Sequence, residues 1–240
     1  MEGTMKVFSS KTAVADYYDL LGRIHSFLKP RTYVEIGIRQ GHSLRLAKTA
    51  AAAVGIDPAP ALEREPRRGT RVFSMTSDEF FARHNLWEEL GHRAVDLAFV
   101  DGMHLFEFAL RDFANLEKFC DRDSTILVHD CYPVDRASAA RDRTTQIWSG
   151  DVWKLIVCLK KYRPDLHITT VDVPPTGLGI IRRLDPGSTI LASLMDSLQE
   201  EFIPHDYGEM EPDKAQQLNR MENRWHEIKS VLSAPSLAAP

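Results

Sequence analysis

At 240 residues the chain can bury the core of one ordinary α/β domain, and 30 Lys and Arg set against 34 Asp and Glu leave a formal charge of -4, which provides no electrostatic footprint for nucleic acid or an anionic membrane. No apolar stretch approaches the ~20 residues of a membrane span, and the N-terminal residues, with Glu2 and Lys6 but no long apolar core, do not read as a secretory signal. Cys120, Cys131 and Cys158 form neither a disulfide framework nor a CxxC pair, so a reducing, cytoplasmic setting is expected, with Cys120 and Cys158 as small buried apolar residues.

Residues 11 to 28 place Val14, Tyr17 or Tyr18, Leu21, Ile24 and Leu28 at helical spacing, and Pro30 closes that leading helix. Short apolar runs follow at 33–38, 53–57, 71–75, 96–101 and 124–129, with helical patterns between most of them. Such alternation predicts parallel strands joined by right-handed crossovers, an α/β, doubly wound sheet with helices on both faces. The clearest helix follows the fourth strand: Phe106, Leu110, Phe113, Leu116 or Glu117, and Cys120 face inward, with Arg111, Asp112 and Lys118 opposite. A polar loop, Asp135 to Ser149, carries Arg136, Arg141 and Arg143; these read as solvated charges, with a grip on an anionic substrate as the alternative. Asp151 reads as a charge at the start of the next helix, Val152 to Tyr162.

A strand at 167–173 then meets another at 178–183 through Pro174-Pro175-Thr176-Gly177. So short a connection forces the pair to be antiparallel, because a parallel return needs a dozen or more residues. The sheet thus counts seven strands, mostly parallel with a reversed last strand. Helices are expected at 189–202 and 213–232, and the final eight residues of the Ala/Pro/Ser tail are expected to be disordered. The resulting division is a leading helix in 1–30, a core in 31–185 and a helical extension in 186–240, with the leading and C-terminal helices as candidate contacts of a homo-oligomer.

In an open α/β sheet, ligands bind outside the carboxyl ends of the strands. Polar residues gather there: Glu35 to Gly41, Asp57, Thr76 to Asp78, Asp101 to His104, and His129 to Cys131. The first of these reads ExGxxxG, with Arg39 where a dinucleotide-binding GxGxxG would place its middle glycine. A carboxylate beside the turn opposes a pyrophosphate but suits a ligand carrying an ammonium and a sulfonium, the charge pattern of S-adenosylmethionine. Asp57, twenty positions after Gly37, suits the ribose. A nicotinamide-dependent (NAD) oxidoreductase on the same layout is disfavoured by the glycine pattern and the terminal hairpin.

Together with Gly55-Ile56-Asp57, Ser77-Asp78, Phe99-Val100-Asp101-Gly102-Met103-His104 and Val128-His129-Asp130, the chain from roughly residue 30 to 183 resembles the class I S-adenosylmethionine-dependent methyltransferases. The likeness is to the small-molecule O-methyltransferase-like branch that includes macrocin- and catechol-type enzymes. It implies a Rossmann-like sheet in which Glu35, Gly37 and Gly41 cradle the methionine side of the cofactor and Asp57 holds the ribose. Ser77 then lies near the adenine and Asp101 at the floor of the site. Ser43 would serve the cofactor carboxylate or the N-H groups of the helix expected after the turn. In metal-dependent members, acids ending the fourth and fifth strands hold a divalent cation such as Mg2+. Asp101 and Asp130 match those positions, whereas Cys131 stands where such relatives place an oxygen ligand; without a metal, the two acids cap helices or bind cofactor.

Methyl transfer to oxygen needs a base to take the hydroxyl proton, and histidine titrates in the right range. His104 is the first candidate and His129 the second, with a structural hydrogen-bonding role as the alternative for each. The expectation is an enzyme methylating a hydroxyl of a small-molecule acceptor, a sugar or natural product. A contrasting reading is a catalytically idle methyltransferase-like binding or assembly domain using its C-terminal helix. Retention of both Glu35 and Asp57 weighs against it.

Overall fold

A computed structural model of the chain describes residues 14–233. The expected start of the leading helix at residue 11 and most of the expected disordered tail lie outside the described residues. In chain order the elements are α1 (Tyr17–Leu28), β1 (Thr32–Ile36), β2 (Ala52–Asp57), β3 (Thr70–Ser74), α2 (Ser77–Arg83), α3 (Leu86–Glu89), β4 (Val95–Val100), α4 (Phe106–Glu117), β5 (Cys120–His129), α5 (Trp153–Tyr162), β6 (His167–Val171), β7 (Leu178–Arg182), α6 (Ile190–Ser193), α7 (Met195–Phe202), α8 (Tyr207–Met210), α9 (Lys214–Gln217), β8 (Arg220–Met221) and α10 (Trp225–Ser233).

The strands form one sheet in the order β3-β2-β1-β4-β5-β7-β6-β8. β1 to β5 are parallel neighbours, and β7 runs against both β5 and β6. The chain leaves β1 toward one edge and returns past it to β4, so a topological switch point, the usual ligand crevice of such sheets, falls between β1 and β4. Alternate strand residues feed two cores. Val34, Ile36, Ala98, Val100, Ile126 and Val128 pack under α4, α5 and α7; Tyr33, Leu97, Phe99 and Leu127 pack under α1 and α10. No helix among the described residues is long and apolar enough to cross a membrane.

Several expectations are corrected. The sheet has eight strands rather than seven: β8 forms beside β6 where a helix was expected over 213–232, because Thr170 and Val171 offer an open edge to Arg220 and Met221. The reversed strand is β7, as expected, and it sits between β5 and β6. The helix expected at 189–202 breaks at Leu194 into α6 and α7. Cys120 opens β5 instead of closing α4. After the glycine turn only a 3-10 turn over Leu44–Leu46 forms, since Ser43 is tied down to Glu35 and the chain must re-enter the sheet at Ala52. A true helix, α2, starts instead at Ser77, capped by Thr76, whose side chain forms a reciprocal capping box with that of Glu79.

Candidate active site

The turn after β1 takes its shape from three left-handed residues, Gly37, Arg39 and Gly41, with φ of 85°, 42° and 75°. Arg39 therefore adopts the backbone conformation favoured by the glycine it replaces. Gly37 has a second constraint, because a Cβ there would collide with the carbonyl of Asp101. Asp57, at the tip of β2, fastens the turn: its Oδ2 accepts the N-H groups of Ile38 (3.0 Å) and Arg39 (2.8 Å), and its Oδ1 accepts that of Ala59 (2.8 Å). A carboxylate has about four lone-pair positions, so Asp57 keeps roughly one for a ligand hydroxyl.

Above this turn lies a cavity of about 520 Å³ lined by Gly37 to Gln40, Asp57, Ser77, Asp101 to His104, His129 and the paired rings of Tyr17 and Tyr18. That size suits a nucleoside-bearing cofactor with a small molecule at its side. Ser43 also lines it, while Glu35 and Gly41 do not. Glu35 is fully buried, accepting hydrogen bonds from the Tyr33 hydroxyl (2.8 Å) and from Ser43, so it meets the cavity only through Ser43. Burial pushes its carboxyl up to about 8, against the opposing hydrogen bonds from Ser43 and Tyr33.

At the tips of β4 and β5 two acids and two histidines converge. His129 Nδ1 lies 3.0 Å from Asp101 Oδ1 and 3.5 Å from Asp130 Oδ2. His104 Nδ1 lies 2.6 Å from Asp130 Oδ2, and its Nε2 lies 3.9 Å from Asp101 Oδ1. The Thr176 hydroxyl, from the turn before β7, donates to Asp130, which itself holds a left-handed φ of 63°. Burial opposes charging His129, but the fields of Asp101 and Asp130 prevail and raise it to about 10. The same contest leaves His104 above the ordinary histidine value, through Asp130 chiefly. Asp130, although buried, is held well below the usual carboxylate range by His129 and His104.

For a metal, Asp101, His104 and Asp130 offer ligand atoms that all lie within 4.8 Å of one another. The donor set fits a divalent cation, and its imidazole suits Mn2+ or Zn2+ better than Mg2+. Cys131 takes no part: its buried thiol points back to the carbonyls of Val128 and His129.

Two contributors escaped the sequence reading. Asp112, placed there on the polar face of its helix, is buried, lines the cavity and bonds Ser77; burial pushes its carboxyl up to about 7. Its spacing of three from Ala109 and four to Leu116 puts it on the buried stripe, a signal present in the sequence. Tyr17, read as a core position, stacks on His129 at 4.0 Å between ring centroids. Asp151 was expected to serve α5; its carboxylate accepts the Phe106 N-H (2.7 Å) and so caps α4. Of the loop arginines, Arg136 pairs with Asp206 and Arg143 lies over Trp148, whereas Arg141 forks between Glu107 and Asp151.

A family model described as a methyltransferase domain matches residues 34–131. Among solved structures, the chain resembles an O-methyltransferase from Streptomyces achromogenes involved in tomaymycin synthesis, in complex with S-adenosylmethionine: TM-score 0.55, 16% identity, 70% of this chain and 80% of that one. A methyltransferase from Podospora anserina bound to S-adenosylhomocysteine gives TM-score 0.55 and 17% identity over 70% of this chain and 78% of that one. An O-methyltransferase from Bacillus cereus, in complex with S-adenosylhomocysteine, gives 0.53 and 11% over 73% and 82%. A comparison with curated proteins returns no match.

Proposed function

We propose, from the match of a methyltransferase-domain model to residues 34–131, that the chain transfers the methyl group of S-adenosylmethionine to a hydroxyl oxygen of a small molecule. The observation that carries this reading is that one cavity joins the glycine turn and Asp57 at one end to the Asp101, His104 and His129 cluster at the other. The cofactor, when bound, supplies an electrophilic methyl group on a sulfonium. Gly37 to Gln40, with Ser43 and Glu35 behind it, receive the methionine portion; Asp57 accepts a ribose hydroxyl; Ser77 and Asp112 border the adenine.

His104 is the base. With Nδ1 against Asp130, the free nitrogen is Nε2, which must come within about 3 Å of the acceptor hydroxyl to take its proton. Its raised affinity for the proton makes it a stronger base than an isolated imidazole. His129, held between the two acids, carries the positive charge that lets them sit together. The ring of Tyr17 stacks on His129 and covers one face of its imidazole.

A second reading is favoured by the convergence of Asp101, His104 and Asp130. These residues would hold a divalent cation, which would polarise the acceptor oxygen and lower its pKa; His104 would then be a ligand rather than the base. Cytoplasmic residence is supported by three free, buried cysteines, and homo-oligomer formation by the half-exposed Phe27 and Trp225 on neighbouring α1 and α10.

Calorimetry with S-adenosylhomocysteine tests the cofactor site, and absence of heat at high micromolar ligand would overturn it. Single-turnover methylation by His104→Ala tests the base. A rate within a few fold of the unchanged protein would remove His104 from that role.

A further inference from the structure

We propose that residues 135–151 form a strap that sets the position of His104, with Arg141 as its fastening and Trp148 as the wall against the imidazole; the inference rests on the role given to His104 above. The strap grips the start of α4 at three places. Trp148 stacks on the His104 ring at 5.1 Å with a 10° interplanar angle, its own indole N-H tied to the Ala140 carbonyl at 2.7 Å. Gly150, left-handed at φ 57°, presses so closely on the His104 carbonyl that a Cβ there would overlap it. Asp151 gives its N-H to that same carbonyl (3.3 Å) and accepts the Phe106 N-H on Oδ1 (2.7 Å). The backbone on either side of His104 and one face of its ring are therefore fixed by a single segment.

The segment is itself locked. Ser149 bonds the Ser138 carbonyl through both its N-H and its hydroxyl, each at 2.9 Å, and Ser138 is pinned to Asp135. Arg141 closes the loop onto α4: Nη2 and Nη1 meet Glu107 at 2.6 and 3.0 Å, and Nη1 meets Asp151 Oδ2 at 2.7 Å. Lys154 also donates to Asp151 Oδ2, at 3.0 Å. Two cations thus face two anions, and the Asp151 carboxylate is only 1% exposed. A solvated loop arginine would show none of this. Forked guanidinium contacts restrict geometry as well as adding energy.

No residue of 135–151 lines the large cavity, so the strap acts on His104 and leaves the cofactor end alone. Arg141 is a positioning residue. Its removal leaves Asp151 still paired with Lys154 and the Phe106 N-H, so Arg141→Met should fold while the strap loosens.

The test compares the unchanged protein with Arg141→Met, and with Glu107→Gln, which weakens one arm of the fork and keeps its shape. NMR of carbon-13-labelled histidines at fixed pH reads the stack directly: His104 ring protons, identified by their loss in His104→Gln, should stand upfield through the Trp148 ring current. In Arg141→Met that displacement should collapse, and in Glu107→Gln it should shrink. Single-turnover methylation should fall about tenfold in Arg141→Met, as a misplaced reacting group demands, with S-adenosylhomocysteine affinity within twofold. If His104 resonances in both variants stay at their original positions, the strap does not position His104. If instead the resonances move while neither the unchanged protein nor any variant methylates, the positioning survives and the methyl-transfer reading is what fails.

Discussion

Glu35 is a buried carboxyl whose protonation should be visible in the stability of the whole chain. Burial raises it to about 8 from the ordinary glutamate value of 4.5. A carboxyl with a raised native pKa holds its proton in the folded state after the unfolded chain has released it, so it costs stability as pH climbs. The penalty begins near 4.5, grows by at most about 1.4 kcal/mol per pH unit, and levels off above 8. Glu35→Gln keeps the shape and the polar contacts to Tyr33 and Ser43 but cannot ionise. Between pH 5 and pH 8 the variant should therefore gain roughly 3 kcal/mol on the unchanged protein. Urea unfolding of both proteins at pH 5, 6.5 and 8 measures this, since every other titrating group is common to the pair and cancels. A difference constant within about 0.5 kcal/mol across that range would refute the assignment and mean that Glu35 titrates as it does in the unfolded chain.

Gly37→Ala would drive a methyl group into the Asp101 carbonyl at a left-handed position; a stability loss of about 2 kcal/mol or more and loss of S-adenosylhomocysteine binding are expected, by thermal melting and calorimetry. Arg163 is fully buried, with both terminal nitrogens on Glu117 and two of its nitrogens on Asp165. Arg163→Met should cost about 3–5 kcal/mol in urea unfolding at neutral pH, because Glu117 is left buried without a countercharge, keeping only the Asp185 N-H. If a cation is held, chelator should abolish methylation, Mn2+ should restore it, and Asp130→Asn should need a higher Mn2+ concentration; unchanged rates in chelator assign the proton transfer to His104 alone.

The strands were legible because each is a short apolar run with turn residues at its ends, and the reversed β7 followed from the length of the Pro174–Gly177 connection alone. The carboxyl ends of β1 to β5 then named most of the cavity lining. What stayed hidden depends on distant partners. β8 is two residues that become a strand only because β6 leaves an edge open beside them. Asp151 gives no sign in its neighbourhood of reaching back to Phe106, |i−j|=45. Arg141 reads as a surface charge until Glu107 and Asp151 are brought to it by the folded loop. Glu35 was read as a site carboxylate from its place beside the glycines, yet strand alternation turns it with Tyr33 into the layer under α1.

The bend between β6 and β7 bears on how the chain tolerates change. Surface hairpin bends are the ordinary places for inserted peptides or grafted tags, but Thr176 here is 1% exposed and bonded to Asp130, and Gly177 has Tyr132 packed where a side chain would begin. Lengthening this bend by even one residue would withdraw the hydroxyl that steadies an acid 46 positions earlier. Pro174 and Pro175 face solvent, but the Thr176–Gly177 half of the bend is an internal prop for Asp130 rather than a spare exterior corner.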